Sequence, residues 1–175
     1  VVFPEPIDPA ELPLKPWALD GADGRPSRVI KSLLLDPLME EALNWRLNAR
    51  YEEISRVLQA AESYLVSDAD LAVIAYGTAA RIAKGAVKRA RQAGIKVGLF
   101  RPITLWPFPK DPLLEINRRI KDFLVFEMST GQMVEDVRLS LEGGGRVHFY
   151  GRPGGPISTP QEIEGEIRKL YERLG

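Results

Sequence analysis

Cysteine is absent from the 175 residues, and histidine occurs once. No disulfide, thiolate nucleophile, Cys-ligated zinc or Cys-held iron–sulfur cluster can be built from such a chain. Missing cysteines agree with a cytoplasmic location, which is the expectation here. An excess of either charge is missing as well. Basic and acidic side chains number 24 each, which argues against a dedicated nucleic-acid binder. No apolar run approaches the ~20 residues of a membrane span, and no basic-then-apolar leader opens the chain, so no membrane partner is expected. Neither the GxGxxG dinucleotide fingerprint nor a phosphate loop ending in Gly-Lys-Ser/Thr is present. The chain begins Val1-Val2-Phe3 rather than with Met, and we expect a piece of a longer polypeptide.

The most informative stretch is Leu71–Pro109, LAVIAYGTAARIAKGAVKRARQAGIKVGLFRPITLWPFP. It reads as a buried strand, a Gly-Thr turn, a basic amphipathic helix, a second buried strand and a rigid loop rich in Pro and Trp. That order is one βαβ crossover and implies a parallel sheet covered on both faces. The units continue downstream. Strand Leu71–Ala75 leads to helix Ala79–Ala93, strand Lys96–Phe100 to helix Pro112–Lys121, and strand Phe123–Glu127 to helix Gly131–Leu141. Strand Arg146–Tyr150 precedes a last helix opened by Thr159-Pro160-Gln161-Glu162, a capping box with Pro in the first turn. Four βα units in series predict an α/β fold: a three-layer αβα sandwich with a mainly parallel sheet.

Upstream the pattern changes. Seven of the fourteen prolines fall within the first 37 residues. Each fixes φ and removes a backbone donor, so residues 1–35 are expected as an extended arm or linker, with a short strand at Val29–Leu35. Asp36-Pro37 then starts a helix expected over 36–67. Leu43, Leu47, Tyr51, Ile54, Leu58, Ala61 and Leu65 form its apolar seam, and Trp45 lies off it. The seam suits a solitary coiled coil or, in preference to it, a helix lying across a neighbouring domain or subunit. The α/β domain is expected over 68–175.

Several constellations carry two readings each. Gly77 and Thr78 sit where a strand turns into a helix, which suits a structural turn or an anion cradle. Arg81, Lys84, Lys88 and Arg91 recur at helical spacing. They read as a solvated face or as an electrostatic dock for an acidic partner or phosphorylated cofactor, with Gly85 allowing a close helix–strand approach. The Arg101–Pro109 loop offers Trp106 and Phe108 on a frame of three prolines, either as interface anchors or folded back on their own sheet. Arg152, Gly154 and Gly155 lie in GRPGGP, either a flexible turn or a carboxylate or phosphate holder. Glu127 and Ser129 end a strand, but no partner base is tied to them by spacing. His148 reads as a buried, hydrogen-bonded residue in mid-strand. Asp20–Gly24 has acidic residues, but it lacks the spacing of a calcium loop and reads as a turn. No catalytic or metal-ligating residue is therefore assigned.

The strings DADLAVIAYGTAAR, GIKVGLFRPITLWPFP, FLVFEMSTGQMVEDV and FYGRPGGPISTPQEI, with Lys15-Pro16-Trp17 upstream, occur in order along nearly the whole chain. Together they resemble the C-terminal half of the α subunit of 2-oxoacid:ferredoxin oxidoreductases of the 2-oxoisovalerate or 2-oxoglutarate type. The resemblance implies a domain similar to the transketolase C-terminal domain, serving subunit assembly and cofactor-site support. It also implies a complex using thiamine diphosphate, magnesium, iron–sulfur clusters and coenzyme A to oxidise a 2-oxoacid to an acyl-CoA. Its partners would be a thiamine-binding β subunit, a γ subunit, a ferredoxin-like δ subunit and ferredoxin. The isolated piece is expected to bind none of the cofactors by itself, to be inactive and to be prone to self-association. A Gly-Asp-Gly motif with paired Asn is missing, since Asn44 and Asn48 stand far from Asp20–Gly24. Two rivals stand beside this reading: a domain of another thiamine-dependent, transketolase-like enzyme, and a free-standing flavodoxin-like nucleotide-binding module.

Overall fold

The structure, a computed structural model, describes residues 3–174; the first two residues of the expected arm and Gly175 lie outside it. By its internal contacts the chain divides into two units, 1–46 and 47–175.

The first unit holds no buried residue among those described. Before the long helix its described residues include a single 3₁₀ turn, Pro9–Glu11, in which the Asp8 carboxylate accepts from the Ala10 N–H at 2.9 Å. The Asp20–Gly24 stretch is a turn, and its Asp20 carboxylate is taken by Arg25 and Arg28. Val29–Leu35 forms no strand. Helix α1 (Pro37–Val57) starts as the residue pattern dictates. Asp36 Oδ1 accepts from the N–H groups of Leu38 and Met39, at 2.9 and 3.2 Å, and Pro37 occupies the position whose missing N–H costs nothing.

Helix α1 ends at Val57, well short of the expected 67. Ala61–Tyr64 instead forms strand β1, which runs antiparallel to β3 (Val97–Pro102) with Ala61 opposite Pro102 and Tyr64 opposite Leu99. The expected seam is therefore broken. Ala61 is a strand residue, and Leu65 lies in the left-handed region at φ 53°. Gly98 explains how the chain passes here. A Cβ on it would lie 2.9 Å from the Leu65 carbonyl oxygen and the Val66 Cα, so only glycine lets that segment cross the sheet. Arg91 and Arg119 then clamp residues 65–68. Arg91 donates to the Leu65 carbonyl and both Asp68 oxygens, and Arg119 donates to the Val66 and Ser67 carbonyls.

The remaining elements follow the expected order: β2 (Leu71–Ile74), α2 (Gly77–Gln92), α3 (Lys110–Asn117), β4 (Asp122–Glu127), α4 (Met133–Leu141), β5 (Arg146–Gly151) and α5 (Pro160–Tyr171). Strand order is β1-β3-β2-β4-β5, and every pairing except β1 with β3 is parallel. Strand β2 is central and fully buried, which is why it reads as an unbroken apolar run. Alternation sorts the strand residues into two cores. Leu71, Val73, Val97, Leu99, Leu124 and Phe126 meet α2 and α5, whereas Ala72, Ile74, Phe100, Phe123 and Val125 meet α3 and α4. The result is the expected three-layer αβα sandwich with a mainly parallel sheet. Gly85 serves a different contact from the one expected. A Cβ there would meet the Pro160 ring at 3.3 Å, so it permits helix–helix packing of α2 on α5.

Candidate functional site

The loops that follow β2, β3, β4 and β5 all emerge at one rim of the sheet, the carboxyl ends of its parallel strands. Open α/β sheets place ligands at such a rim. The segment leading into β1 reaches the same rim, because the Ala60 carbonyl accepts from the N–H groups of Ile103 and Thr104, at 2.9 and 3.2 Å.

At the end of β4, Glu127 is completely buried. Its carboxylate accepts from Ser129 Oγ at 2.6 Å and from the N–H groups of Met133 and Val134, at 3.0 and 3.1 Å. The side chain thus fills the first turn of α4, satisfying donors that the helix leaves open and complementing its positive end. These bonds occupy the Glu127 carboxylate and the Ser129 hydroxyl, which makes the pair structural. Nearby Asp136 holds its proton more tightly than usual, chiefly through burial and then through repulsion by Glu135 and Glu127.

The GRPGGP loop resolves in the same direction. Arg152 donates to Glu162 at 2.6 Å, and Glu162 is also the carboxylate of the capping box on α5, accepting from the Thr159 N–H at 2.7 Å. The Glu162 carboxyl is held below its ordinary range first by that backbone donor and then by Arg152. Gly154 and Gly155 are exposed with φ of 58° and 66°, a tight turn beyond the ion pair. His148 departs from expectation. Strand β5 is an edge, so His148 is half-buried rather than enclosed, and its Nε2 has no hydrogen-bond partner. The nearest carboxylate oxygen, on Asp122, stands 3.6 Å away and belongs to a two-pronged pair with Arg146.

The Pro-Trp loop divides its two aromatics. Phe108 folds back, half-buried, against the α3–α4 core. Trp106 remains 61% exposed, its ring in a T-shaped arrangement with Tyr51, centroids 5.5 Å apart and planes at 85°. Ile103, Leu105 and Leu58 are also exposed around this corner. Gln59 fixes the end of α1 to the start of α3, accepting from the Asp111 N–H at 3.0 Å and donating to its carboxylate at 3.2 Å. Trp45, in the first unit, is exposed with its indole N–H 3.5 Å from Glu41.

On the other side of the rim, five residues singled out in the sequence converge. Gly77, Thr78, Arg81, Lys84 and Arg101 line one cleft of about 550 Å3, together with Glu62 and Tyr64 of β1. Glu62 and Tyr64 were not foreseen, because β1 itself was not. Arg101 is 2.9 Å from Glu62, and the Lys84 ammonium lies 5.0 Å from the centroid of the Tyr64 ring. Lys88 is exposed. Arg91 leaves the basic face entirely, committed to Asp68 and to backbone carbonyls.

Among the described residues no group of three or more His, Asp or Glu side chains could hold a metal ion. No helix there is long and apolar enough to cross a membrane.

Comparison with known proteins decides the family. Residues 69–163 match the family described as pyruvate:ferredoxin oxidoreductase core domain II. The chain belongs to that family. It is 37% identical over 154 residues to ketoisovalerate oxidoreductase subunit VorB of Methanothermobacter marburgensis, a match covering 88% of this chain and 44% of the relative. It is 38% identical over 100 residues to 2-oxoglutarate synthase subunit KorA of the same organism, covering 57% of this chain and 27% of the relative. The chain therefore spans less than half the length of these relatives. Among solved structures it resembles the 2-oxoglutarate:ferredoxin oxidoreductase of Magnetococcus marinus, with a TM-score of 0.64 at 20% identity over 79% of this chain and 24% of that one. A split-gene transketolase described as an inactive β4 tetramer matches with a TM-score of 0.55 at 17% identity, over 65% of this chain and 41% of that one. At such identities these two likenesses establish the fold alone. Residues 69–163 are thus a core domain II of that family, and the transketolase-like alternative fits less well.

Proposed function

We propose that this domain belongs to an α subunit that helps oxidise a 2-oxoacid to its acyl-CoA with transfer of electrons to ferredoxin. In this reading it is an accessory domain, supporting assembly and the thiamine diphosphate site rather than breaking the bond itself. The observation that carries the reading is the match to VorB, which takes in the upstream region as well as the sandwich, since it covers 88% of this chain. The KorA match covers 57%, and that difference favours a branched-chain 2-oxoacid such as 2-oxoisovalerate over 2-oxoglutarate.

The donor set of this chain fits an accessory part. With no cysteine it offers no thiolate to an iron–sulfur cluster, so clusters are assigned to a ferredoxin-like companion subunit. Thiamine diphosphate and magnesium are assigned to a thiamine-binding companion, and the location is taken as cytoplasmic. What the domain contributes is shape. The Trp106, Ile103 and Leu105 corner and the open length of α1 offer apolar area to another polypeptide, and a rigid exposed Trp suits an interface anchor.

The test is reconstitution. The chain alone, supplied with 2-oxoisovalerate, coenzyme A, thiamine diphosphate and a viologen acceptor, is expected to show no turnover. The same assay on the complete complex containing this sequence should reduce the acceptor, faster with 2-oxoisovalerate than with 2-oxoglutarate. Turnover by the isolated chain would contradict an accessory role, and indifference to both 2-oxoacids in the complex would contradict the activity.

A further inference from the structure

The cleft over β1 and β3 has no part in that reading, yet it gathers three cations around one carboxylate. Three cations from two separate elements, Arg81 and Lys84 on α2 and Arg101 on β3, face one carboxylate, Glu62. The balance is positive by two charges. Arg81 and Lys84 stand three residues apart on one helix face. Lys84 rests over an aromatic ring rather than a carboxylate, so its charge is held in place without being cancelled. Arg101 directs Nη1 to Glu62, which leaves further N–H donors of its fork available. The walls between these charges are apolar: buried Ala80 and Leu99, and the half-buried Tyr64 ring. A low-dielectric wall focuses the field of the cations into the cleft.

We propose that this cleft binds a phosphate group of a small soluble molecule. Cations approaching from a helix on one side and a strand on the other suit an anion that presents several oxygens at once, and Arg forks match phosphate oxygens in pairs. A single carboxylate offers fewer acceptors and would leave part of this donor set unused. The volume of about 550 Å3 admits more than a bare phosphate and lies within the range of small-molecule pockets. An organic body attached to the phosphate would lie along Tyr64 and Leu99.

The experiment uses the full chain and two probes, inorganic pyrophosphate and ADP, followed by amide shifts in two-dimensional NMR. Saturable shifts are expected at Thr78, Arg81 and Lys84, weakening as salt is raised. The double variant Arg81→Gln/Lys84→Gln should bind at least about tenfold more weakly, whereas Lys88→Gln, on the same helix outside the cleft, should bind as the parent does. An unchanged spectrum elsewhere shows that the variants fold. Tighter binding of ADP than of pyrophosphate would place an organic body on the Tyr64 wall, and equal binding would assign the cleft to free phosphate anions. No saturable shift with either probe, or equal loss with Lys88→Gln, overturns the proposal. So does protection of the cleft by a companion polypeptide alone. None of these outcomes depends on turnover of a 2-oxoacid.

Discussion

Helices α1 and α2 carry apolar residues at the same helical spacing and end in different circumstances. Helix α2 has 16 residues and buries six of them: Ala79, Ala80, Ala83, Ala86, Val87 and Ala90. Helix α1 has 21 residues and buries none. The small side chains of α2 let it lie close on its own sheet, where strand residues such as Val73 and Leu99 cover it. Leu43, Leu47 and Ile54 of α1 are only half-buried, and Tyr51 stays exposed. A periodic stripe thus specifies that a helix will be covered, while the identity of the cover is written elsewhere. For α2 it is the adjacent strands of the same βαβ unit. For α1 we assign it to another polypeptide.

Side-chain truncation separates covered from uncovered positions most strongly. Phe123 is fully buried in the α3–α4 core, so Phe123→Ala should cost about 3–5 kcal/mol in urea unfolding. By contrast, Leu43→Ala on α1 should stay within about 0.5 kcal/mol in the isolated chain. Equal costs would mean that α1 already has its cover. A middle-sized effect is expected at Glu127. Replacing it with Ala leaves the Met133 and Val134 N–H groups without the carboxylate they now share, and the expected loss is about 1–3 kcal/mol. The urea midpoint measures it. A catalytic Glu127 would predict no loss of stability on removal.

Much of this architecture was legible because local signals agreed. The buried runs of β2, β3 and β4, the Gly94 stop after α2 and the capping box of α5 each announce themselves within a few residues. Strand β1 did not. Ala61-Glu62-Ser63-Tyr64 shows no alternation of apolar and polar residues, and the helical spacing of α1 continues falsely through Leu58, Ala61 and Leu65. The strand exists because β3, far along the chain, offers an edge, and because Gly98, Arg91 and Arg119 hold the crossing that follows it.

The candidate site shows the same division. Four of its residues were visible as a Gly-Thr turn and a basic stripe, and Arg101 as the start of the Pro-Trp loop, but Glu62 and Tyr64 arrived with the unforeseen strand. Glu127 was conspicuous at a strand end, yet its task depends on donors six and seven residues onward, which spacing alone does not reveal. His148 was misjudged because a period-two pattern does not say whether a strand is central or at an edge.

Hydrogen–deuterium exchange gives the most direct test of the central claim, that α1 and the Trp106 corner are surfaces kept for companion polypeptide. Peptides from the isolated chain should be compared with the same peptides in the assembled complex. The account predicts that amides of α1 and of residues 103–108 gain protection on assembly, while the buried strand β2 exchanges equally slowly in both. Unchanged exchange along α1 and the Trp106 loop in an active complex would contradict it.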